Sequence, residues 1–481
     1  MIQSSTLSLY FLAFYILIII WVGIKNRNSD DSESYFLASR QLPSWSLAIT
    51  FIASWWGGGS AIDLVDHAHG NGINSFWIYG VPVLISTFLL FLFSKAIRQI
   101  GTISQPQLIE KRYNRSVSLL LTIFIIVFMV ITAAVQVIVI GRFFHSFFGV
   151  SYEVGATVGT LVVVCYSFFG GFKGVVLTDL IQFVFFLITA VVLFYISYER
   201  SGGYDEVVAY AESHGKEGYC DFFYGVSDQL AYVITFGASW MIQANVWQRV
   251  SAAKDGRSAK RMMLISFFVF IPLYLMVTFT GMFSSVFYQN VPKGGIVPDM
   301  VLNMENPFFS AILFVGLCSA IMSTMDSLVN TGAMSLTLDI YGNYVSPNAS
   351  PRRLVWVGRL STLIVAIVSL FIALRVQSVL TISWIGSDFL TTGAFVPVVL
   401  GFVWSKGSSR AAWLSMVFGL LFSSYNLLVA MGFPLPVCWE VASVKQALIG
   451  IGFSLLIYGL GSFLWPDKNN KGEAFISMIR D

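Results

Sequence analysis

The chain has 481 residues, of which 56% are hydrophobic and 11% are charged, and its formal net charge is +3. A soluble domain carries about 25% charged residues, so no ordinary core would hide this much apolar surface from water. The composition excludes a soluble globular protein, a disordered chain and a nucleic-acid-binding protein, and it indicates the lipid bilayer as the solvent.

Long apolar segments follow one another along the chain. A helix that crosses a bilayer needs about 20 mainly apolar residues, and thirteen such segments are predicted. They cover residues 7–24, 43–66, 75–97, 117–144, 154–169, 174–197, 229–250, 263–288, 307–338, 354–374, 379–405, 411–431 and 444–465. We therefore predict an all-α fold, a polytopic membrane bundle of thirteen transmembrane helices.

The positive charges predict the orientation of this bundle. With the N-terminus outside and thirteen crossings, 22 of the 28 Lys and Arg residues lie on the inner side, Arg27 among them. Inner loops of membrane proteins carry an excess of positive charge. We expect an integral protein of the bacterial inner (plasma) membrane with its N-terminus outside and its C-terminus in the cytoplasm. The acidic segment 198–228 is then an external loop.

Two of the predicted spans contain sequence that disfavours a continuous helix. The second span has three consecutive glycines, Gly57, Gly58 and Gly59, and the seventh is polar between Gly237 and Asn245. Such glycines indicate either a discontinuous helix with freed backbone groups or close packing between helices. Segments five spans apart run in opposite directions through a membrane. This spacing predicts an inverted repeat, with a binding site where the two interrupted helices meet.

Five acidic residues lie inside predicted spans, where a buried carboxylate is costly. They are Asp63, Asp66, Asp179, Asp326 and Asp388. Each is a candidate functional residue, although Asp66, beside His67 and His69 at an outer end, fits a solvated loop end equally well. These two histidines alone do not make a metal-ligand set.

The ninth span contains hydroxyl groups beside a carboxylate. At roughly 100° per residue, Ala320, Ser323, Thr324 and Ser327 share one helix face, and Asp326 lies about 60° beyond Ser323. Clustered oxygen atoms suit a hard cation. The alternative is that these hydroxyls bond back to carbonyl groups of their own helix.

Three motifs resemble those of the sodium:solute symporter family, over residues 35–404. The sequence AIMST at 320–324 resembles the family's sodium motif, residues 170–182 resemble its Gly-Gly…Thr-Asp…Gln segment, and residues 247–254 resemble its Gln-Arg…Ala-Lys stretch. The resemblance implies the leucine-transporter-like fold, a 5+5 inverted repeat with broken first and sixth core helices, and transport by alternating access. The expected units are an extra N-terminal helix in 1–42, the first repeat in 43–197, the external loop 198–228, the second repeat in 229–405, and two peripheral helices with a short tail in 406–481.

The resemblance also implies sites for sodium. One ion is expected at the carbonyl groups of Ala53, Trp56 and Ala320 and the hydroxyls of Ser323 and Thr324. Some members bind a second sodium at positions that match Asp179, Ser323 and Ser327, and here Asp326 stands where some relatives have serine. Because Asp179 and Asp326 would repel each other, a positive group is expected between them: a second sodium, a shared proton or Lys173.

The substrate pocket is expected near the two breaks. Its predicted residues are Trp55, Ser60, Asp63, Trp240, Gln243, Asn245, Trp384 and Asp388. The Trp-Gly-Gly-Gly run resembles the choline-transporter branch, but Gln243 stands where that branch has Trp. Aromatic faces with carboxylates favour an organic cation or a zwitterion such as an amino acid, and the same faces are also able to stack a sugar ring.

We therefore expect a monomeric symporter that imports a small organic solute with Na⁺ as its coupling ion. The alternatives are a proton-coupled or a sugar or carboxylate transporter of the same fold, and a membrane sensor that does not transport. An enzyme is not expected, because the sequence shows no nucleophile beside a base and no metal-binding His pair.

Overall fold

The computed structural model describes residues 2–25, 32–376 and 378–480 of the chain. Arg27, one of the charges assigned to the inner side, lies outside these ranges. Within them the polypeptide is almost entirely helical, and an isolated parallel bridge between Leu42 and Ala253 is the β-type pairing found there. The predicted all-α class is confirmed.

The described part of the chain contains twenty α-helices, three π-helical segments, and two short 3₁₀ helices, Ala38–Arg40 and Gly72–Ser75. The α-helices, in chain order from α1 to α20, are Ile2–Lys25, Ser32–Leu37, Ser44–Trp55, Leu64–Asn71, Phe76–Ile100, Gln105–Arg112, Arg115–Phe148, Tyr152–Ser201, Tyr204–Ser213, Val226–Met241, Ala244–Ala252, Gly256–Phe287, Ile296–Leu302, Pro307–Met334, Pro351–Arg375, Val379–Asp388, Val396–Val403, Ser409–Ala430, Val444–Leu464 and Lys471–Arg480. The π-helical segments, π1 to π3, are Gly59–Asp63, Ser335–Val345 and Phe389–Phe395.

Ten helical stretches within the described ranges are long and apolar enough to cross a membrane. The total of thirteen remains a prediction, because three of the predicted spans are short or interrupted in the structure. The second is divided between α3 and α4, the seventh between α10 and α11, and the fifth is the shorter helix Tyr152–Phe168. This last helix is the first half of α8, which bends at Gly171, where φ is 53°.

Helix α14 lies at the centre of the bundle. Nearly all of its side chains are buried, and it contacts α1, α3, α7, α8 and α15. A membrane helix that is covered on every side can hold polar side chains away from lipid, and the hydroxyl-rich stretch after Ala320 is in this protected position.

The glycine run of the second span both interrupts the helix and allows close packing between helices. Helix α3 ends at Trp55, and Trp56 has a non-helical backbone with φ −89° and ψ 69°. A Cβ atom on Gly57 would lie 2.5 Å from Gln136 Oε1 and 2.8 Å from Thr324 Oγ1, distances that real side chains do not reach. Glycine therefore permits the break and also lets α7 and α14 approach the broken segment.

The peripheral helix α18 packs against π3 through two glycines. A Cβ atom on Gly419 would come within 2.2 Å of the Gly393 Cα atom, whereas a Cβ on Gly452, in the neighbouring helix α19, would meet nothing within 4 Å. The close approach of α18 to π3 thus depends on the absence of a side chain at position 419.

We predict that Gly419→Ala lowers the thermal unfolding midpoint of the purified protein, because overpacking typically costs about 1–3 kcal/mol. The matched control Gly452→Ala, which adds a methyl group to open space in a helix, should leave the midpoint unchanged or raise it, since alanine is the better helix former by about 1 kcal/mol. Equal midpoints for the two variants would contradict the packing described for α18 and π3.

Candidate functional site

The break between α3 and π1 faces the hydroxyl groups of α14. The Ser323 hydroxyl donates to the Ala53 carbonyl at 3.0 Å and to the Ala320 carbonyl at 3.1 Å. The Thr324 hydroxyl donates to the same two carbonyl oxygens at 3.1 and 3.3 Å. Both interpretations of these hydroxyls therefore apply, since they bond back to their own helix and also reach across to α3.

Four of the five predicted sodium ligands thus contact one another directly. The fifth, Trp56, is the first non-helical residue after α3, and its buried indole packs against Phe186 and Tyr274. Two hydroxyl oxygens and two or three carbonyl oxygens, without sulfur or imidazole, form a ligand set that suits a hard cation.

A cavity lies directly beside this oxygen cluster. Its walls include Gly57 and Thr324, and also four of the residues predicted to bind the substrate: Trp55, Ser60, Trp240 and Gln243. The cavity has a volume of about 70 Å³. This space admits only a few water molecules, so entry of a solute requires the walls to move.

Hydrogen bonds hold the polar lining of the cavity in place. The indole Nε1 of Trp55 donates to Gln243 Oε1 at 2.6 Å, which joins the two interrupted helices. The Ser60 hydroxyl is 2.9 Å from the hydroxyl of Tyr274 and donates to the Trp55 carbonyl at 3.3 Å. The two interrupted helices, which were predicted to meet around one site, are therefore in direct contact.

Several residues that line the cavity were not predicted from the sequence. They are Ser54, Tyr79, Val83, Phe128, Thr132, Val135, Gln136, Ser383 and Ser387. Gln136 accepts a hydrogen bond from the Gly58 N–H at 2.9 Å. Because Gln136 is a lone amide in the middle of the long apolar helix α7, the sequence already indicated that it could have a functional role. Tyr79 stacks on Trp240 with ring centroids 6.0 Å apart, and no pattern in its own segment indicated this contact.

Two of the predicted substrate residues on α16 face away from the cavity. Ser383 and Ser387, four residues apart, share the helix face that lines the cavity. Trp384 and Asp388 lie on the next face, where Trp384 packs against Tyr232 and Phe236 at 5.4 and 6.2 Å. In this structure, α16 contributes serines to the cavity and not the predicted tryptophan and aspartate.

Asp63 and Asn245 are also absent from the cavity lining. Asp63 is at the end of π1, one turn beyond Ser60. Asn245 is fully buried in α11, where its carbonyl accepts from Arg249 Nη1 at 3.0 Å. A break in a helix changes the direction of every later side chain, so the position of these two could not be read from the sequence.

A buried ion pair joins α8 to α11. Arg249 Nη2 lies 3.4 Å from Asp179 Oδ2, and the two side chains are 1% and 0% exposed. The Thr50 hydroxyl also donates to Asp179 Oδ2, and Arg249 Nη2 donates to the Ser327 hydroxyl at 2.7 Å. Helices α3, α8, α11 and α14 therefore meet in one polar network.

Arg249 supplies a positive charge beside Asp179 that was not expected from the sequence. Lys173, one of the groups expected there, is exposed. Asp326 Oδ1 accepts from Ser327 at 3.4 Å, while Asp326 Oδ2 and Asp179 Oδ1 have no hydrogen-bond partner in the described part of the chain. The second cation site at Asp179, Ser323, Asp326 and Ser327 stays a prediction.

We predict that Asp179→Asn strongly destabilises the protein, because it leaves the buried Arg249 without its counter-charge, a change that costs about 3–5 kcal/mol. Adding Arg249→Met to Asp179→Asn should recover part of the loss in the thermal unfolding midpoint. Losses that simply add in the double variant would show that the two groups are not coupled.

The chain resembles known transporters along most of its length. The model of the sodium:solute symporter family matches residues 35–419. The sodium/proline symporter of Haemophilus influenzae is 26% identical, covering 81% of this chain and 82% of that protein. The sodium/glucose cotransporter of Vibrio parahaemolyticus is 24% identical, covering 89% and 87%.

Solved structures show the same fold at low identity. A Na⁺-coupled sialic acid symporter in a substrate-bound outward-open state aligns with a TM-score of 0.83 at 17% identity, covering 96% of this chain and 99% of that one. A nucleobase-cation-symport-1 family transporter aligns with a TM-score of 0.60 at 12% identity, covering 94% and 99%. The chain belongs to the sodium:solute symporter family, and it is an integral membrane protein that imports a solute coupled to sodium.

Proposed function

We propose that one sodium ion binds at the carbonyl groups of Ala53, Trp56 and Ala320 and the hydroxyls of Ser323 and Thr324. The solute binds in the adjoining cavity and is carried inward by alternating access. The observation that supports this most strongly is the double role of Thr324, whose hydroxyl contacts the Ala53 carbonyl while the residue also lines the cavity. An ion held there changes the wall that the solute touches.

The solute is best described as a small zwitterion or organic cation of amino-acid type. The cavity lining contains aromatic rings, hydroxyls and two amides, and no charged side chain of the described residues lines it. The adjoining sodium ion and the N-terminal end of the helix that starts after Gly58 would both attract a carboxylate. The rings of Trp55 and Trp240 suit an ammonium group. A sugar, which stacks on the same rings, is the alternative.

We further propose that the protein is a monomer in the bacterial inner membrane, with its N-terminus outside, its C-terminus in the cytoplasm and no enzymatic activity. Residues 1–42 form the extra helix, 43–197 and 229–405 form the two inverted repeats around the external loop 198–228, and 406–481 form the peripheral helices and tail. Asp63, Asn245, Trp384 and Asp388 are not retained as direct substrate ligands, because the cavity is lined by other residues.

In proteoliposomes, an imposed inward sodium gradient should drive solute uptake, and Ser323→Ala or Thr324→Ala should raise the sodium concentration that gives half-maximal uptake, since each removes an oxygen ligand. The matched control is Ser310→Ala on the same helix, whose hydroxyl bonds to the Val301 carbonyl at 2.7 Å, away from the site. Uptake driven by a proton gradient and indifferent to sodium would contradict the assignment.

Reversal potentials of the same flux give the sodium-to-solute ratio, and a ratio of two that falls to one in Asp326→Asn would support the second cation.

Gln243→Ala should weaken solute binding while leaving stabilisation by sodium alone intact, because Gln243 lines the cavity but contributes no oxygen to the sodium site. A thermal-shift screen of proline, betaine-type amines, glucose and myo-inositol, with and without sodium, identifies the solute, since a ligand of the folded state raises stability. The affinity of Gln243→Ala is then compared with that of the wild type. Equal loss of the sodium and solute responses would indicate a folding defect and remove Gln243 from the site.

A further inference from the structure

The last turns of α5 are fixed against the beginning of α12, on the side of the membrane proposed to be cytoplasmic. Arg98, near the end of α5, donates from Nε to the Ala253 carbonyl and from Nη2 to the Lys254 carbonyl at 3.0 Å, just before α12 begins. The two helices also approach closely there, since a Cβ atom on Gly256 would lie 3.4 Å from the Lys95 Cα atom. Side chains at these two helix ends therefore have defined positions relative to each other.

Two lysines lean across the boundary between α5 and α12. The side chain of Lys95, on α5, lies over Gly256, the first residue of α12. The Nζ atom of Lys260, on α12, lies 5.3 Å from the centroid of the Phe91 ring on α5. Lys95 is exposed and Lys260 is half-buried. Both side chains therefore lie at the boundary, where one anionic group is able to contact both.

Positive charge is in excess around these two lysines. Arg257 and Arg261, both exposed on the first turns of α12, add two guanidinium groups. Of the acidic residues nearby, Asp255 caps the start of α12, with its Oδ1 atom 2.7 Å from a backbone N–H, and Glu33 pairs with Arg40 at 2.7 Å. Within the described ranges, neither the two lysines nor the two arginines form an ion pair. Such an uncompensated cluster attracts anions.

The basic cluster stands at the end of two apolar stripes that face outward from the bundle. The exposed apolar residues nearest to it are spaced by one helical turn on each helix, and α5 and α12 run side by side. They are Phe88 and Leu92 on α5 and Leu264 and Phe268 on α12, each between 46% and 61% exposed. In a membrane protein such stripes contact acyl chains, and long basic side chains at their ends reach the headgroup layer.

We propose that this surface binds an anionic phospholipid. Its phosphate would accept charge-assisted hydrogen bonds from the cluster, and its acyl chains would lie along the apolar stripes of α5 and α12. These stripes favour a lipid over a soluble phosphate, which would leave them uncovered. The headgroup ligands are Lys95, Arg257, Lys260 and Arg261.

A lipid at this place would hold the beginning of α12 in position. Helix α12 packs against both α3 and α4, the two helices on either side of the first break. The headgroup ligands lie outside the cavity and outside the sodium ligand set. The lipid site therefore exists or fails independently of the proposed sodium and solute sites.

The test is native mass spectrometry of the purified full-length protein with phosphatidylglycerol and with phosphatidylcholine of identical acyl chains. The wild type should bind phosphatidylglycerol saturably and with the lower Kd. Lys95→Gln/Lys260→Gln should raise that Kd about 25-fold, since each basic residue at an anionic membrane surface contributes about fivefold. The Kd of phosphatidylcholine should not change, and Lys95→Arg/Lys260→Arg, which keeps both charges, should retain tight binding.

The matched control is Arg352→Gln/Arg353→Gln, which removes the same charge from exposed positions at the start of α15. Its Kd for phosphatidylglycerol should equal that of the wild type. The single variant Arg261→Gln, at an exposed position, should raise the Kd about fivefold, and it gives an answer even if the double lysine variant fails to fold.

An equal rise in Kd for the lysine variant and the α15 control would overturn the proposal, because only the total positive charge of that surface would then matter. A Kd that neither Lys95→Gln/Lys260→Gln nor Arg261→Gln changes would also refute it. Displacement of the lipid by glycerol 3-phosphate, which carries the phosphate without acyl chains, would instead indicate a site for a soluble phosphate and would equally refute the lipid site.

Discussion

A helix that ends inside a membrane leaves backbone carbonyl groups without partners, in surroundings where no water replaces them. Helix α3 ends in this way at Trp55, and the hydroxyls of Ser323 and Thr324 on α14 reach the carbonyl oxygen of Ala53. Much of the remaining structure supports this junction. The glycine at position 57 lets the break form next to α14, and the burial of nearly all of α14 keeps its hydroxyls from lipid.

The same junction places the ion beside the solute. Residues on both sides of the break, Trp55 and Ser60, line the cavity, and Gln243 from the other broken helix is tied to Trp55 by a hydrogen bond. The Arg249–Asp179 pair then fixes α11 against α3, α8 and α14 through Thr50 and Ser327. Because both broken helices are bonded to side chains of α8 and α14, binding of an ion at one break is able to alter the position of the other.

The features that could be predicted from sequence are those with a local cause. Apolar length indicates spans, glycine runs indicate breaks, and the spacing of Ser323 and Thr324 puts their hydroxyls on one face. The features that could not be predicted depend on how helices rotate against one another. Asp388 and Ser387 are adjacent in sequence, yet only Ser387 faces the cavity, and the pairing of Arg249 with Asp179 joins residues 70 positions apart. Gln136 gave a signal, as a polar residue within an apolar helix, but its partner Gly58 is 78 positions away.

The sodium ion and the solute are expected to bind at adjoining sites and to strengthen each other's binding. The most direct measurement is the Kd of the solute at zero and saturating sodium, with potassium replacing sodium, together with the Kd of sodium at zero and saturating solute. Each ligand should lower the Kd of the other by the same factor, about 5- to 150-fold, as thermodynamic linkage requires. A solute Kd that is the same in sodium and in potassium would contradict it.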